Sequence, residues 1–119
     1  MLRIPFDTSK SADQSLRVLI PELQVIALRL VWNTRASGWD VMVSDTEGSQ
    51  LGYLRLEPRF PLLYEHKALS PIAGDIIALP LTDGTGRPLT EYSALGESWG
   101  LFWISPDEVT EWEKANGLG

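Results

Sequence analysis

From Ser15 to Ile20, the apolar residues Leu16, Val18 and Ile20 recur at every second position, the spacing of a strand with one face turned to a core. Pro21-Glu22 then turns the chain. From Gln24 to Trp32 the residues Ile26, Leu28, Leu30 and Trp32 share one face. Val25, Ala27, Arg29 and Val31 occupy the other, so both faces are expected to be partly covered. After the polar stretch 33–38, Trp39, Val41 and Val43 alternate with Asp40, Met42 and Ser44. Asp45-Thr46-Glu47-Gly48 is a turn cluster, and Ser49 to Leu56 reads as the next strand. Residues 24–56 therefore predict a three-strand antiparallel meander.

Outside this stretch the pattern is weaker. Leu2 to Phe6 is apolar but contains Pro5, which suits an edge strand or an extended arm, with 1–14 as an N-terminal arm. The run Pro58-Arg59-Phe60-Pro61-Leu62-Leu63-Tyr64 cannot be a central strand, because proline has no N–H to give a ladder. Its apolar content predicts a buried loop or single turn. Gly74-Asp75 opens a strand over 76–79, and Gly100 to Ile104 forms a last one. Residues 82–98 carry three glycines and a proline and predict a long loop. Ser105-Pro106-Asp107-Glu108 is a helix start, with Ser105 as cap, Pro106 at the first position and Glu108 closing a capping box. Asn116-Gly117 ends that helix. The expected fold is a single all-β domain over 1–119, a small antiparallel β-barrel or sandwich of OB-like kind with a short C-terminal helix at 105–116.

A chain of 119 residues is long enough to bury a core without staples, and it contains no cysteine, which excludes disulfides and thiolate-bound metals. The absence of cysteine points to assembly in a reducing compartment. The N-terminal MLRIPFDTSK lacks the apolar stretch of a signal peptide, and no run is long enough to span a bilayer. Ten scattered Lys and Arg face sixteen Asp and Glu, a net charge of −6, so binding to a phosphate backbone is not expected. The acidity reads first as ordinary solubility and second as repulsion of a polyanion.

Chemistry-bearing motifs are scarce. His66 is the single histidine, so no two-histidine metal site can form within one chain, and no nucleophile elbow accompanies it. Asp83-Gly84-Thr85-Gly86-Arg87 resembles a phosphate loop but lacks the closing Gly-Lys-Ser/Thr. The Asp45–Gly48 run has neither the ligand spacing nor the closing Glu of a calcium loop. Glu111 and Glu113 sit on different faces of a helix and do not converge. No catalytic residue, cofactor or metal site is expected.

Tryptophan is the informative residue, with five in the chain. Trp side chains either fill cores and cross-strand pairs or anchor interfaces. Trp32 and Trp39 are expected in the core, while both roles stay open for Trp112.

The run Arg29-Leu30-Val31-Trp32-Asn33, followed by Arg35-Ala36-Ser37-Gly38-Trp39, resembles a signature of small tail proteins of contractile-tailed bacteriophages. In that signature a strand ends in Trp-Asn, an Arg-Ala-Gly-Gly-like turn follows, and a Trp starts the next strand. Ser37 takes the place of a common first glycine, and Gly38 supplies the permissive backbone of the turn. Further matches are the Asp45–Gly48 turn, Phe60-Pro61-Leu62-Leu63 for the usual Trp-Pro-Leu-Leu, and Gly86-Arg87 with Leu95-Gly96 before the last strand. The chain thus resembles the baseplate plug proteins over most of 15–105, with the helix less typical.

The resemblance implies a compact all-β virion part at the junction of tail tube and central hub, with no enzyme activity. The implied partners are hub and tube-initiator proteins and further copies of the chain, as a trimer or hexamer, in a tail baseplate assembled in the host cytoplasm. Trp32, Asn33, Arg35, Gly38 and Trp39 form its structural hairpin, clamped by two tryptophans around six residues, too many for a two-residue turn. Candidate interface residues are Phe60, Pro61, Leu62, Leu63, Asp83, Arg87, Glu91, Glu97 and Trp112. Two other readings stay open: a general barrel-type protein- or peptide-binding module of bacterial or prophage origin, and a small hydrolase using His66.

Overall fold

The computed structural model describes residues 1–6, 12–21, 24–45, 53–65, 72–81 and 88–118. Strands β2 (Asp13–Ile20), β3 (Gln24–Asn33), β4 (Gly38–Ser44) and β5 (Leu54–Arg55) form one antiparallel sheet in chain order. Strands β1 (Leu2–Ile4), β7 (Trp99–Ile104) and β6 (Asp75–Pro80) form a second, also antiparallel, in the order β1-β7-β6. Helix α1 (Pro106–Ala115) follows β7.

The period-two pattern sets the registers. In the larger sheet Leu16 lies opposite Leu28, Val18 opposite Ile26, Leu28 opposite Val43, Leu30 opposite Val41 and Trp32 opposite Trp39. A slip of one residue would turn every one of these side chains to solvent, which is why the register is sharply specified. The smaller sheet presents Leu2, Ile4, Ile76, Ala78, Leu101 and Trp103 to the same core. Its other face, with Ile77, Ile104, Leu79 and Phe102, is covered by Val109 and Trp112 of α1. The architecture is a two-sheet sandwich with one helix on the outside of the smaller sheet.

The sheets do not close into the expected barrel. Among the described residues no ladder joins β5 to β6, because Pro58 and Pro61 interrupt the chain between them. That connection runs beside β6 instead: Arg59 N–H donates to Ala78 O at 2.9 Å and Leu62 N–H to Ile76 O at 2.7 Å. The meander expected over 24–56 is part of a four-stranded sheet, since β2 pairs along its whole length with β3. Of the strand expected over 49–56 only Leu54–Arg55 is laddered, and residues 46–52 lie outside the described set. The first residues of the expected arm are strand β1, paired with β7 from Leu2↔Trp103 to Ile4↔Leu101.

The long loop expected over 82–98 is ordered over 88–98. Leu89, Ala94 and Leu95 are buried, and Tyr92–Ala94 forms a 3-10 turn. Glycine content suggested a free loop there; three small apolar anchors dock it. Residues 82–87 lie outside the described set.

Helix α1 follows its sequence signals. Ser105 Oγ accepts from Glu108 N–H at 3.2 Å, and Glu108 Oε1 accepts from Ser105 N–H at 3.1 Å, completing the capping box. At the other end Leu118 N–H reaches Glu113 O and Gly117 N–H reaches Lys114 O, a Schellman closure with Gly117 at φ 72°.

Gly74 and Gly117 both have left-handed backbones, at φ 79° and 72°, but differ in space. A Cβ at Gly74 would lie 2.2 Å from Ile104 O, whereas at Gly117 it would meet nothing. Gly117→Ala is expected to cost the left-handed penalty alone, about 1–2 kcal/mol. Gly74→Ala is expected to cost at least twice as much, measured by urea denaturation of both variants. Equal losses would show that the β6–β7 contact at Gly74 yields freely.

Candidate functional site

The β3–β4 hairpin carries the aromatic centre of the molecule. Its ladder continues to the pair Asn33↔Gly38, so the unpaired loop is Thr34–Ser37 rather than the six residues expected. Asn33 closes it: its side-chain carbonyl accepts from Ala36 N–H at 3.2 Å, an Asx-type turn. Its amide also donates to Asp40 at 3.3 Å, and Arg55 Nε donates to the same carboxylate at 2.9 Å, tying β3, β4 and β5 at the hairpin's base.

The residue with a left-handed backbone in this turn is Ser37, at φ 50°, not Gly38. Gly38 is needed for another reason. A Cβ there would lie 3.0 Å from Arg55 Cδ, so glycine lets the Arg55 side chain lie across the strand.

Inside the hairpin, Trp32 meets Trp39 edge to face with ring centroids 5.5 Å apart. Tyr92 stacks on Trp39 at 5.3 Å and Phe6 meets its ring edge-on at 5.1 Å. Trp39 is buried and Trp32 half-buried. The indole N–H of Trp39 has no acceptor among the described residues, as its surroundings are aromatic faces. Phe6 follows the N-terminal strand and Tyr92 lies in the 88–98 segment, so one side chain joins three separate parts of the chain.

A second aromatic cluster forms where the Pro58–Tyr64 connection meets α1. Phe60, Tyr64 and Trp112 contact one another pairwise, with centroids 5.1–5.7 Å apart. Trp112 Nε1 donates to Arg59 O at 3.0 Å. Arg59 itself adopts φ 59°, donates its N–H to Ala78 O, and holds its guanidinium 5.9 Å from the Trp99 ring centre. Beneath it the buried carboxylate of Asp75 accepts from Leu63 N–H at 2.8 Å and Ile76 N–H at 2.7 Å. Pro61, Leu62 and Leu63 are buried by these contacts, and Phe60 and Trp112 are half-buried against each other.

The structure therefore brings Trp32, Asn33, Gly38 and Trp39 into one unit with Arg35 exposed at its tip. It places Phe60 against Trp112 at the seam with α1, while Leu62 and Leu63 join the main core that also holds Trp39. Glu91 and Glu97 are exposed, at the ends of the ordered 88–98 segment. Asp83, Arg87 and His66 lie outside the described residues. Sequence reasoning missed Arg55, Arg59, Asp75 and Tyr92. Asp75 and Tyr92 carried weak signals, an acid opening an apolar strand and an aromatic in a polar loop. Nothing local marked the two arginines.

Between the hairpin tip, the 55–58 connection and residues 88–90 lies a groove of about 350 Å³ whose walls include Ser37, Arg55, Pro58, Pro88 and Trp99. It offers apolar surface, one guanidinium, the hydroxyls of Ser37 and Thr90 and the Glu57 carboxylate. No group of three or more His, Cys, Asp or Glu stands close enough to hold a metal among the described residues. The arrangement can hold a chain segment.

One carboxylate is electrostatically tuned. The Met1 amine lies 2.8 Å from Glu108 and, with the Ser105 backbone N–H, holds the Glu108 carboxyl below its ordinary value of 4.5. A lowered folded value means that this contact stabilises above about pH 4.5 and is lost as pH falls through the folded value. Glu108→Gln should therefore flatten the acid limb of the stability curve and cost about 0.3–1 kcal/mol at neutral pH. Identical acid limbs for both proteins, followed by Trp fluorescence, would remove Glu108 as the group responsible.

Trp39→Ala removes the ring that joins three parts of the chain and is expected to cost about 3–5 kcal/mol. That is much of a typical margin of about 5–15 kcal/mol, so the variant should melt far lower. A melting temperature within a few degrees of wild type would show that the cluster is not central.

No curated protein matches the chain. The family model described as the cyanophage baseplate Pam3 plug gp18 matches residues 1–107, spanning the hairpin, both sheets and the start of α1, and the chain belongs to that phage baseplate plug family.

Proposed function

We propose that the protein is a structural part of a phage tail baseplate that bridges the central hub and the tail tube. The family assignment over residues 1–107 carries this reading. Two features of the fold support it. The aromatic side chains are spent on internal packing, which suits a rigid part more than a flexible binder. The exposed hairpin tip and the groove beside it supply a shaped surface on which a neighbour can dock, and on this reading the protein acts by position rather than by catalysis, as the family assignment suggests. Its partners on this reading are hub and tube-initiator proteins and further copies of itself, three or six about the tail axis. Assembly takes place in the host cytoplasm.

The charge balance fits a role along the DNA path. With a net charge of −6, an axis-facing surface would repel phosphates and let the polymer slide. Glu91 and Glu97 are exposed, and with Asp83 they are the acids of the 82–98 segment.

The experiment is an electron-microscopy map of tails carrying wild-type protein or the triple variant Asp83→Lys, Glu91→Lys, Glu97→Lys. Density for the chain at the hub–tube junction, with slowed DNA delivery by assembled triple-variant virions, is the expected result. Density elsewhere in the tail would sink the junction. Normal delivery would sink the acidic lining, and failed assembly of the variant would put that segment at a protein contact instead.

A further inference from the structure

Strand β2 is an outer edge of the larger sheet, eight residues long, with no proline and, among the described residues, no strand beyond it. Which of its backbone groups point outward follows from one hydrogen bond. Trp32 N–H donates to Ala12 O at 2.8 Å, in the same register as the β2–β3 ladder. Backbone direction alternates along a strand, so Gln14, Leu16 and Val18 turn their N–H and C=O to β3. Ser15, Arg17 and Leu19 turn theirs away. The same alternation sends Trp39 O toward β5, where Leu56 N–H meets it at 2.9 Å.

Long edges of this kind are normally blunted by proline, bulges, inward charges or a covering segment. The edge of β6 is covered by the Pro58–Leu62 connection. The edge of β2 has no such device among the described residues. Its core-facing residues also lack full cover: Leu16 and Val18 are half-buried, whereas Leu28 and Ile26 opposite them are 1% and 0% exposed. Leu19 is 60% exposed on the outer side.

The side chains of β2 are complementary to themselves. An antiparallel copy centred on Ser15 sets outward-pointing residues opposite outward-pointing residues, as a hydrogen-bonded ladder requires. In that register Asp13 faces Arg17 of the copy and Arg17 faces its Asp13; centring on Arg17 sets two guanidinium groups against each other, and centring on Gln14 or Leu16 sets Asp13 or Arg17 opposite Ser15 and forms no such pair. Asp13 already receives Arg29 Nε at 3.0 Å and Nη2 at 2.7 Å on the same exposed face, so Arg17 of the copy would join an existing pair. Exposed charge pairs select a register more than they supply affinity. The affinity comes from the ladder and from covering Leu16 and Val18.

We propose that β2 pairs antiparallel about a two-fold axis with β2 of a second copy, joining two four-stranded sheets into one of eight. This goes beyond the hub–tube reading and stands without it. A ring of three copies contains no two-fold, and in a ring of six the two-fold relates only copies on opposite sides of the axis, so the pair is the form of the protein before assembly. It protects an edge that would otherwise template aggregation.

The test is sedimentation velocity of the purified chain over a range of concentrations, with three variants. Wild type should sediment as a monomer–dimer equilibrium. Ser15→Pro removes an outward donor without costing a bond to β3 and should be monomeric with an unchanged melt. Arg17→Glu and Asp13→Lys each set like charges opposite one another twice and should weaken self-association on the order of tenfold. An equal mixture of those two restores opposite charges at both positions and should dimerise as wild type does. A wild type that stays monomeric, a Ser15→Pro protein that dimerises normally, or a mixture no tighter than its components, with both variants folded by their melts, would each overturn the proposal.

Discussion

Trp39 sits where three parts of the chain converge. Its ring faces Trp32 across the hairpin, Tyr92 from the segment before β7, and Phe6 just after β1, all with centroids between 5.1 and 5.5 Å. No ladder connects those segments to the hairpin. What holds the smaller sheet, the 88–98 segment and the larger sheet in one arrangement is therefore apolar and aromatic packing, non-directional in strength but demanding in shape. The cost is visible in the same residue, whose indole N–H is buried without an acceptor among the described residues. A side chain of that volume evidently contributes more by packing than its lone donor takes away.

The other fixed point is the connection between the sheets. Two prolines prevent it from being a strand, so its backbone groups need partners elsewhere. Ala78 and Ile76 carbonyls take the N–H groups of Arg59 and Leu62, the Asp75 carboxylate takes that of Leu63, and the Trp112 indole takes up Arg59 O. The left-handed backbone of Arg59 is tolerated because these contacts and the Trp99 ring over-determine its position. This connection covers the edge of β6 and seats α1 on the outer face of the smaller sheet.

A member of a baseplate plug family has to keep its shape while neighbours dock on it. The five tryptophans agree with that demand: two are buried, and the other three are half-buried against other side chains of the same chain. What remains outside is a polar hairpin tip, a shallow groove and sheet edges. Such a surface offers neighbours shape and backbone hydrogen bonds.

The sequence by itself determined the elements whose signals are local. Alternation at period two marked β2, β3 and β4 and the side chains they bury, and the Ser105–Glu108 box and Asn116-Gly117 marked both ends of α1. The Trp-Asn and Gly-Trp flanks of the hairpin carried enough pattern to point to the family. Only the tertiary structure decided how the sheets combine, because closure depends on where two prolines send the chain and not on the strands themselves. It also decided that 88–98 is docked, since Leu89, Ala94 and Leu95 in a mostly polar stretch gain their burial from a core assembled elsewhere. The roles of Ser37, Arg55, Arg59 and Asp75 belong to the same class. Each depends on a partner at least a dozen residues away or on a backbone angle, and neither leaves a periodic trace in the order of residues.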